Sequence, residues 1–219
     1  SCFWFAYNVQ WGAMLAIVLP SQIAAIAGDA DTEFYNGLIP PIGALVSLLI
    51  TPVAGALSDR SRSRWGRRRP YSLVGTLINI LFLMLIGGFG AGSSVWLFLL
   101  CYMGIQFGSN VAGGPYAGLI PDVVPRRQRG SASGWLALMT ALGLLVGALA
   151  AGQLSGGGTY WSIYTLIAVT LLAMLTLTLW GVREQPNTAV AEPFDIRAFG
   201  RSFLLDRRVY CDFYWVLIT

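Results

Sequence analysis

Residues 55–70 read GALSDRSRSRWGRRRP and join two apolar stretches that are each long enough to cross a membrane. This segment carries six of the 14 basic residues of the 219-residue chain, and all 14 are arginine. One acid, Asp59, stands at the start of the arginine run. We expect Gly55 to allow close packing at the end of the preceding span. Pro70 suits the first turn of the next helix, where a missing N–H is harmless. The segment therefore predicts a short basic loop between two membrane helices.

The composition on either side of this loop is that of a membrane protein. Hydrophobic residues make up 56% of the chain and charged residues 11%, whereas a water-soluble domain carries about 25% charged residues. A membrane helix needs about 20 mostly apolar residues, and six stretches meet that length. They are residues 3–27, 37–58, 71–90, 95–120, 131–153 and 159–182. A seventh apolar stretch begins near Val209.

These stretches predict an all-α membrane protein that is a fragment of a longer chain. We expect a six-helix N-terminal transmembrane bundle over residues 1–182 and the start of a seventh helix over 209–219. Between them, 183–208 form a cytoplasmic inter-bundle loop. Apolar residues 196, 199, 203 and 204 share one helical face there, which is typical of a short helix lying on the membrane surface.

The arginines show which side of the membrane each connection occupies. Every arginine lies in one of three connections, 59–70, 121–130 and 183–208, and the three alternate connections contain none. Because positive charge favours the cytoplasmic side, we expect a cytoplasmic N-terminus and a multi-pass protein of the inner or plasma membrane. Positive charge on short membrane-proximal loops argues against nucleic acid as a partner and favours contact with anionic lipid headgroups.

Small residues recur at helical spacing in three of the spans. They are Gly43, Ser47, Thr51 and Gly55 in span two, Gly104, Gly108 and Ala112 in span four, and Gly143, Gly147 and Ala151 in span five. Small residues let helix backbones approach each other in lipid. We therefore expect spans two, four and five to be tightly packed. Span six has no glycine between Thr165 and Leu179 and is expected to be peripheral.

Amide side chains are the main polar groups inside the spans. Gln10 lies in span one, and Gln106, Ser109 and Asn110 share one helix face in span four. They can form interhelical hydrogen bonds, worth about 0.6 kcal/mol each, or a polar stripe on a cavity wall, and the residues leave both open. The segment from Val9 to Gly12 resembles 105–108, which favours inverted three-helix repeats with a site at their interface.

The two arginine loops on either side of spans three and four resemble those of a known family. The segment DRSRSRWGRRRPY at 59–71, the segment GPYAGLIPDVVP at 114–125 and RGSASG at 129–134 are similar to the major facilitator superfamily. Within it they resemble the glycoside–pentoside–hexuronide:cation symporters and the sucrose–proton symporters. The resemblance implies a carrier of two six-helix bundles, of which this chain holds the N-terminal one and the C-terminal one lies beyond residue 219. The two bundles would rock around a central solute site.

The resemblance also implies a gating role for the cytoplasmic motifs. In the family the acid of this loop and its arginines hold the outward-facing state through cytoplasmic contacts. The residues at the matching positions are Gly55, Asp59, Arg60, Arg64, Gly66, Arg67 and Arg68, with Asp122 and Arg129 as lesser candidates.

The chain departs from the family at the positions that handle the coupling ion. Two aspartates that bind sodium in melibiose-type carriers correspond to Ser47 and Thr51, and a membrane aspartate of sucrose carriers corresponds to Gln106. An amide cannot take up or release a proton near neutral pH. A coupling proton or sodium ion, if there is one, is then expected to bind in the other half.

We interpret the chain as part of a secondary active transporter for a sugar or glycoside, without a cofactor or enzymatic chemistry. Gln10, Trp11, Gln106 and Asn110 are the candidate solute-binding residues. Trp11 could stack on a pyranose face or pack against a neighbouring helix, and the sequence leaves both open. The alternatives are a carrier for another small solute, such as a drug or organic compound, and a carrier-fold protein in assembly or pigment handling.

Overall fold

The computed structural model describes residues 2–28, 31–61, 63, 65–89, 94–118, 124–155 and 160–181. Six helices in these ranges are long and apolar enough to cross a membrane, which confirms the all-α membrane fold. They are α1 (Cys2–Ala27), α2 (Thr32–Asp59), α3 (Arg69–Phe89), α4 (Val95–Ala117), α5 (Arg129–Ser155) and α6 (Trp161–Gly181). The expected surface helix in 183–208 and the start of a seventh span at 209–219 lie outside the described residues.

A helix extends beyond its apolar stretch where polar residues continue it. The second helix begins at Thr32, five residues before the apolar stretch that starts at 37. Glu33 lies in its first turn, where a negative charge is stabilised by the helix dipole. Pro70 lies in the first turn of α3, which begins at Arg69, as the sequence predicts.

Helix α1 contains a π-helical segment, Met14–Val18, that interrupts the single span expected from the sequence. At its end the Leu19 N–H donates to the Met14 carbonyl, a bond one residue longer than the α-helical one. Pro20 follows directly and has no N–H, so the preceding turn cannot keep its regular α-helical bonds. The wider turn lets α1 continue to Ala27 without a break.

Helices α1 and α4 form the centre of the bundle. In each, half of the residues of the most apolar window are buried, against 17% in α2 and α5. Helix α1 packs mainly against α5 and α6, and α4 packs mainly against α2 and α3. The first helix of each three-helix unit therefore packs against the second and third helices of the other unit. This exchange is the arrangement expected of two internal repeats.

Glycines on both helices bring α1 and α5 into backbone contact. A Cβ atom at Gly12 would overlap the Leu144 carbonyl oxygen, and one at Gly147 would overlap the Val9 carbonyl oxygen. A Cβ at Gly143 would lie 2.7 Å from the Asn8 Cβ. Only glycine fits at these crossings, which confirms the close packing expected of span five.

Helix α4 makes the same kind of contact with both of its neighbours. A Cβ at Gly108 would lie 2.5 Å from the backbone nitrogen of Asn79 in α3, and one at Gly114 would lie 2.7 Å from the backbone carbonyl oxygen of Thr51 in α2. The expectation for Gly55 is wrong, because nothing lies within 4 Å of a Cβ atom there. The small-residue row of α2 packs at Gly43 and Thr51 but faces open space one turn later.

The expectation that span six is peripheral is also wrong. Helix α6 packs against α1 and α3, and a third of its most apolar window is buried. Its contact residues are large: Ile163, Tyr164, Ile167, Leu171 and Leu175. The Tyr164 hydroxyl donates to Gln22 Oε1 of α1 at 2.5 Å. Large residues can pack by interdigitation, so the absence of glycine did not indicate an exposed helix.

The backbone contact between α1 and α5 predicts a large difference between two glycines of the same helix. Gly147→Ala should lower the free energy of unfolding by about 1–3 kcal/mol, because neither backbone can move aside. Gly134→Ala is the matched control, since a Cβ there meets nothing within 4 Å and alanine is the better helix former. Denaturant unfolding of the full-length protein in detergent would measure both. Equal stability of the two variants would contradict the packing.

Candidate functional site

A cluster of polar side chains lies between α2 and α4, and we call it the α2–α4 polar cluster. Its members are Ser47, Thr51, Tyr102, Gln106 and Asn110. The Asn110 Oδ1 atom accepts hydrogen bonds from Ser47 Oγ at 2.8 Å and from Thr51 Oγ1 at 2.9 Å. Its Nδ2 group donates to the Gln106 backbone carbonyl at 2.7 Å. The structure thus joins two predicted site residues to the two hydroxyls at the melibiose-type ion positions.

Gly43 makes room for the other end of the α2–α4 polar cluster. A Cβ atom at this position would lie 2.5 Å from Tyr102 Cε1 and 2.7 Å from Gln106 Nε2. The Gln106 Nε2 group donates to the Tyr102 hydroxyl at 3.1 Å. The hydrogen bonds therefore continue from the hydroxyls of α2 through Asn110 and Gln106 to Tyr102. No Asp, Glu or Arg belongs to this cluster, so the cluster carries no full charge.

Gln10 lies apart from that cluster and has a different partner. Its side chain is fully buried and forms a reciprocal pair with Asn79 of α3. Asn79 Nδ2 donates to Gln10 Oε1 at 2.7 Å, and Gln10 Nε2 donates to Asn79 Oδ1 at 3.3 Å. The similar sequences around Gln10 and Gln106 therefore do not place the two amides in one group. The geometry favours interhelical bonding for Gln10 over contact with a solute.

Aromatic side chains of α1 and the end of α4 form a continuous row. The Trp4 ring stacks on Tyr7 at 5.1 Å and on Tyr116 at 5.8 Å between ring centroids, each with an interplanar angle of 8°. Trp11 stands edge-on to Tyr7 at 6.3 Å and is partly buried against the core. Trp11 thus packs against its own helix neighbour while part of its ring stays accessible.

Arg68 connects the first cytoplasmic loop to the end of α4. Its side chain is 7% exposed, Nη1 donates to the Pro115 carbonyl at 2.7 Å, and Nη2 donates to Asp59 Oδ1 at 3.0 Å. The last carbonyls of a helix have no partner within the helix and attract positive charge. A Cβ at Gly118 would overlap the guanidinium, so glycine is what leaves this space open.

Asp59 is the last residue of α2, where the helix dipole disfavours a negative charge. Two arginines offset this, Arg68 at 3.0 Å and Arg67 at 4.0 Å. Half of the Asp59 side chain stays exposed. Gly66 has a φ of 104°, which strongly favours glycine and accounts for this residue in the loop. The Arg60 N–H donates to the Leu57 carbonyl at 3.2 Å and ends the helix.

The remaining gating candidates are placed as follows. Arg129 begins α5, and its Nε donates to the Val124 carbonyl at 3.3 Å within the same connection. Gly55 lies in the last turns of α2 beside open space. Arg64 and Asp122 lie outside the described residues.

Ser47, Thr51, Tyr102 and Asn79 are not among the site residues predicted from the sequence. The sequence predicts Ser47 and Thr51 as small packing residues at the positions of two sodium-binding aspartates, although their spacing already places both hydroxyls on the face of Gly43. Asn79 was visible as the one amide in the middle of span three. No pattern in the sequence could pair it with Gln10, because periodicity gives the face of a helix and not the helix opposite.

The family model described as Major Facilitator Superfamily matches residues 2–219. Over 86% of its own length, the chain is 28% identical to the Membrane-associated transporter protein of Homo sapiens. Over 63% of its own length, it is 29% identical to Sucrose transport protein SUT1 of Oryza sativa subsp. japonica. It is 29% identical to Multidrug resistance protein MdtG of Citrobacter koseri over 80%. The matches span 38%, 28% and 42% of the lengths of those relatives, so each match covers less than half of the relative.

The contact between Arg68 and Gly118 predicts non-additive mutations. Gly118→Ala should displace the guanidinium and cost about 1.5–3 kcal/mol of stability, the size of a hydrogen bond to a charged group. Arg68→Ala should cost a similar amount, and the double variant no more than Arg68→Ala alone. Unfolding of the four proteins would measure this cycle, with Gly130→Ala as a control beside open space. Simple addition of the two costs would show that Gly118 does not act through Arg68.

Proposed function

The chain belongs to the major facilitator superfamily, and we propose that it is the N-terminal half of a secondary active transporter for a sugar or glycoside. The chain is a multi-pass membrane protein of a family of transporters. The solute, the coupling and the membrane in which it works are our proposals. We propose the inner or plasma membrane and a cytoplasmic N-terminus, because every arginine lies in the alternate connections 59–70, 121–130 and 183–208 and positive charge favours the cytoplasmic side.

The α2–α4 polar cluster is the observation that carries this proposal. It holds hydroxyl and amide groups inside a membrane bundle, where unpartnered polar groups are costly and tend to mark pathways. It carries no full charge, which suits a neutral solute with many hydroxyls. A charged solute would call for an opposite charge in the membrane, and no described arginine lies in the middle of a helix. The sucrose transport protein among the relatives supports the same solute class.

The cytoplasmic contacts support alternating access as the mechanism. Arg68 holds Asp59 and the end of α4 together, so the loop joins the ends of α2, α3 and α4. We propose that Asp59, whose side chain is half exposed, contacts the C-terminal bundle in the outward-facing state. Breaking such contacts would bias the two states by a few kcal/mol at most. Arg60, Arg64, Gly66, Arg67, Asp122 and Arg129 are proposed to support this contact.

We propose that this half does not bind the coupling ion. The two positions that match the sodium-binding aspartates hold the neutral residues Ser47 and Thr51 in place of carboxylates, and Gln106 cannot titrate near neutral pH. If a proton or sodium ion drives transport, its ligands then belong to the C-terminal bundle.

A carrier for drugs or other organic compounds is the second candidate. Trp4, Tyr7 and Trp11 of the aromatic row are partly buried and offer a surface for flat apolar molecules, and one relative is a multidrug resistance protein. The α2–α4 polar cluster favours the sugar, because an apolar solute would offer its hydrogen-bonding groups no partner. A role in assembly or pigment handling has no specific observation in its favour.

Uptake by vesicles that contain the full-length protein tests the sugar assignment. We expect labelled sucrose, maltose or glucose to accumulate above the level of protein-free vesicles. Asp59→Asn should change the rate of that uptake, because it removes the charge that Arg68 and Arg67 face. Uptake of an organic dye without uptake of any of the three sugars would favour the second candidate, and an unaltered rate in Asp59→Asn would contradict the gating role.

Gln106→Asp tests where coupling could be located in this half. The new carboxyl would lie next to Tyr102 and Asn110 in a buried site and, unlike the amide, could take up and release a proton there. We expect the rate of sugar uptake by this variant to depend on pH in a way that the rate of the wild type does not. Gln106→Asn is the matched control, since it keeps an amide. A pH profile identical to the wild type would show that an acid at this position is not sufficient for coupling.

A further inference from the structure

The direction of one amide determines the hydrogen bonding of the whole α2–α4 polar cluster. Asn110 Nδ2 lies 2.7 Å from the backbone carbonyl of Gln106. A backbone carbonyl only accepts hydrogen bonds, so the NH2 group must point toward it. The Oδ1 atom of Asn110 therefore points toward α2. This orientation follows from the chemistry of the partner and does not depend on telling oxygen from nitrogen by shape.

The two hydroxyls of α2 must both act as donors. Ser47 Oγ and Thr51 Oγ1 lie 2.8 and 2.9 Å from Asn110 Oδ1, and an amide oxygen can only accept. A hydroxyl has a single proton, so each of these protons is already used. What remains on both oxygens is lone pairs. In the part of the chain that the structure describes, no hydrogen-bond donor contacts either oxygen.

Ser47 and Thr51 are also the less buried side of the cluster. Asn110 and Gln106 are 4% and 7% exposed, whereas Ser47 and Thr51 are partly buried and lie one helical turn apart on the same face. A molecule that reaches the cluster from α2 would meet two hydroxyl oxygens that can accept but cannot donate. The amides behind them hold the hydroxyl protons in place.

We infer that Ser47 and Thr51 form an acceptor-only subsite that selects the solute by hydroxyl groups acting as donors. This inference rests on the proposed function, because it names the groups that would bind the sugar. A sugar hydroxyl can donate a hydrogen bond to the lone pairs of each oxygen, whereas an ether oxygen, a carbonyl oxygen or a fluorine cannot. Ser47 and Thr51 are thus specificity-determining residues, and Asn110 is the positioning residue that fixes their direction.

A matched pair of substitutions at Thr51 tests the subsite. Thr51→Val removes the hydroxyl and keeps the shape of the side chain, and Thr51→Ser keeps the hydroxyl. The assay is uptake of the transported sugar among sucrose, maltose and glucose by vesicles with the full-length protein. Its competitors are analogues of that sugar in which one hydroxyl at a time is replaced by hydrogen or by fluorine.

In the wild type we expect at least one sugar hydroxyl at which replacement by fluorine weakens competition as much as replacement by hydrogen. The expected loss of competition is about tenfold, since the loss of one hydrogen bond is of that order. Fluorine accepts but does not donate, so only an acceptor-only contact gives this result. Thr51→Val should reduce the discrimination at that hydroxyl to about twofold, while Thr51→Ser should retain most of it. A variant that merely packs poorly would transport less without losing discrimination at one position.

Three outcomes would overturn the inference. One is fluorine competing as well as the parent hydroxyl at every position. Another is full discrimination in Thr51→Val. The third is a change in sodium dependence in Thr51→Val without a change in discrimination, which would assign the oxygens to a cation. Absence of uptake of all three sugars by the wild type would instead contradict the proposed function, and the subsite with it.

Discussion

Contact between helix backbones at glycines is the constraint on which the rest of the bundle depends. Lipid tails are as apolar as leucine, so helices in a membrane gain little from burying apolar surface and associate through close packing. Gly12 and Gly147 bring α1 against α5, and Gly75 and Gly108 bring α3 against α4. These crossings place α1 and α4 at the centre. Every candidate solute-binding amide is carried on one of these two helices, so the glycines also determine where the polar groups lie.

The second constraint is that a polar group in hydrocarbon must find its partner within the protein. Gln10 pairs with Asn79, and Gln22 accepts from Tyr164. The Gln10–Asn79 pair is closed, since each amide donates to the other and accepts from it. The α2–α4 polar cluster is open, because the hydroxyl oxygens of its less buried residues keep unused lone pairs. The same chemistry therefore serves packing in one place and recognition in another.

Much of the fold could be predicted from the sequence, because it follows from lengths and local composition. Six apolar stretches and the arginines between them gave the number of helices, and Pro70 marked the start of α3. The partners of side chains could not be predicted. The face shared by Gln106 and Asn110 follows from spacing, but no pattern shows that α2 lies opposite that face or that α3 lies opposite Gln10. Gly55 and α6 show the limit of reading small residues as contacts, since a glycine can face open space and large residues can pack by shape.

The π-helical segment in α1 has a consequence for how this chain is aligned with its relatives. A π-turn holds about one residue more than an α-turn, so residues 2–13 and 19–27 of α1 are out of register by about one position relative to an uninterrupted helix. A relative with a regular first helix would then match this chain only with a one-residue gap inside a transmembrane segment. Placed without that gap, the residues on one side of Met14–Val18 would be compared with the wrong neighbours, and equivalent faces of the helix would appear unrelated.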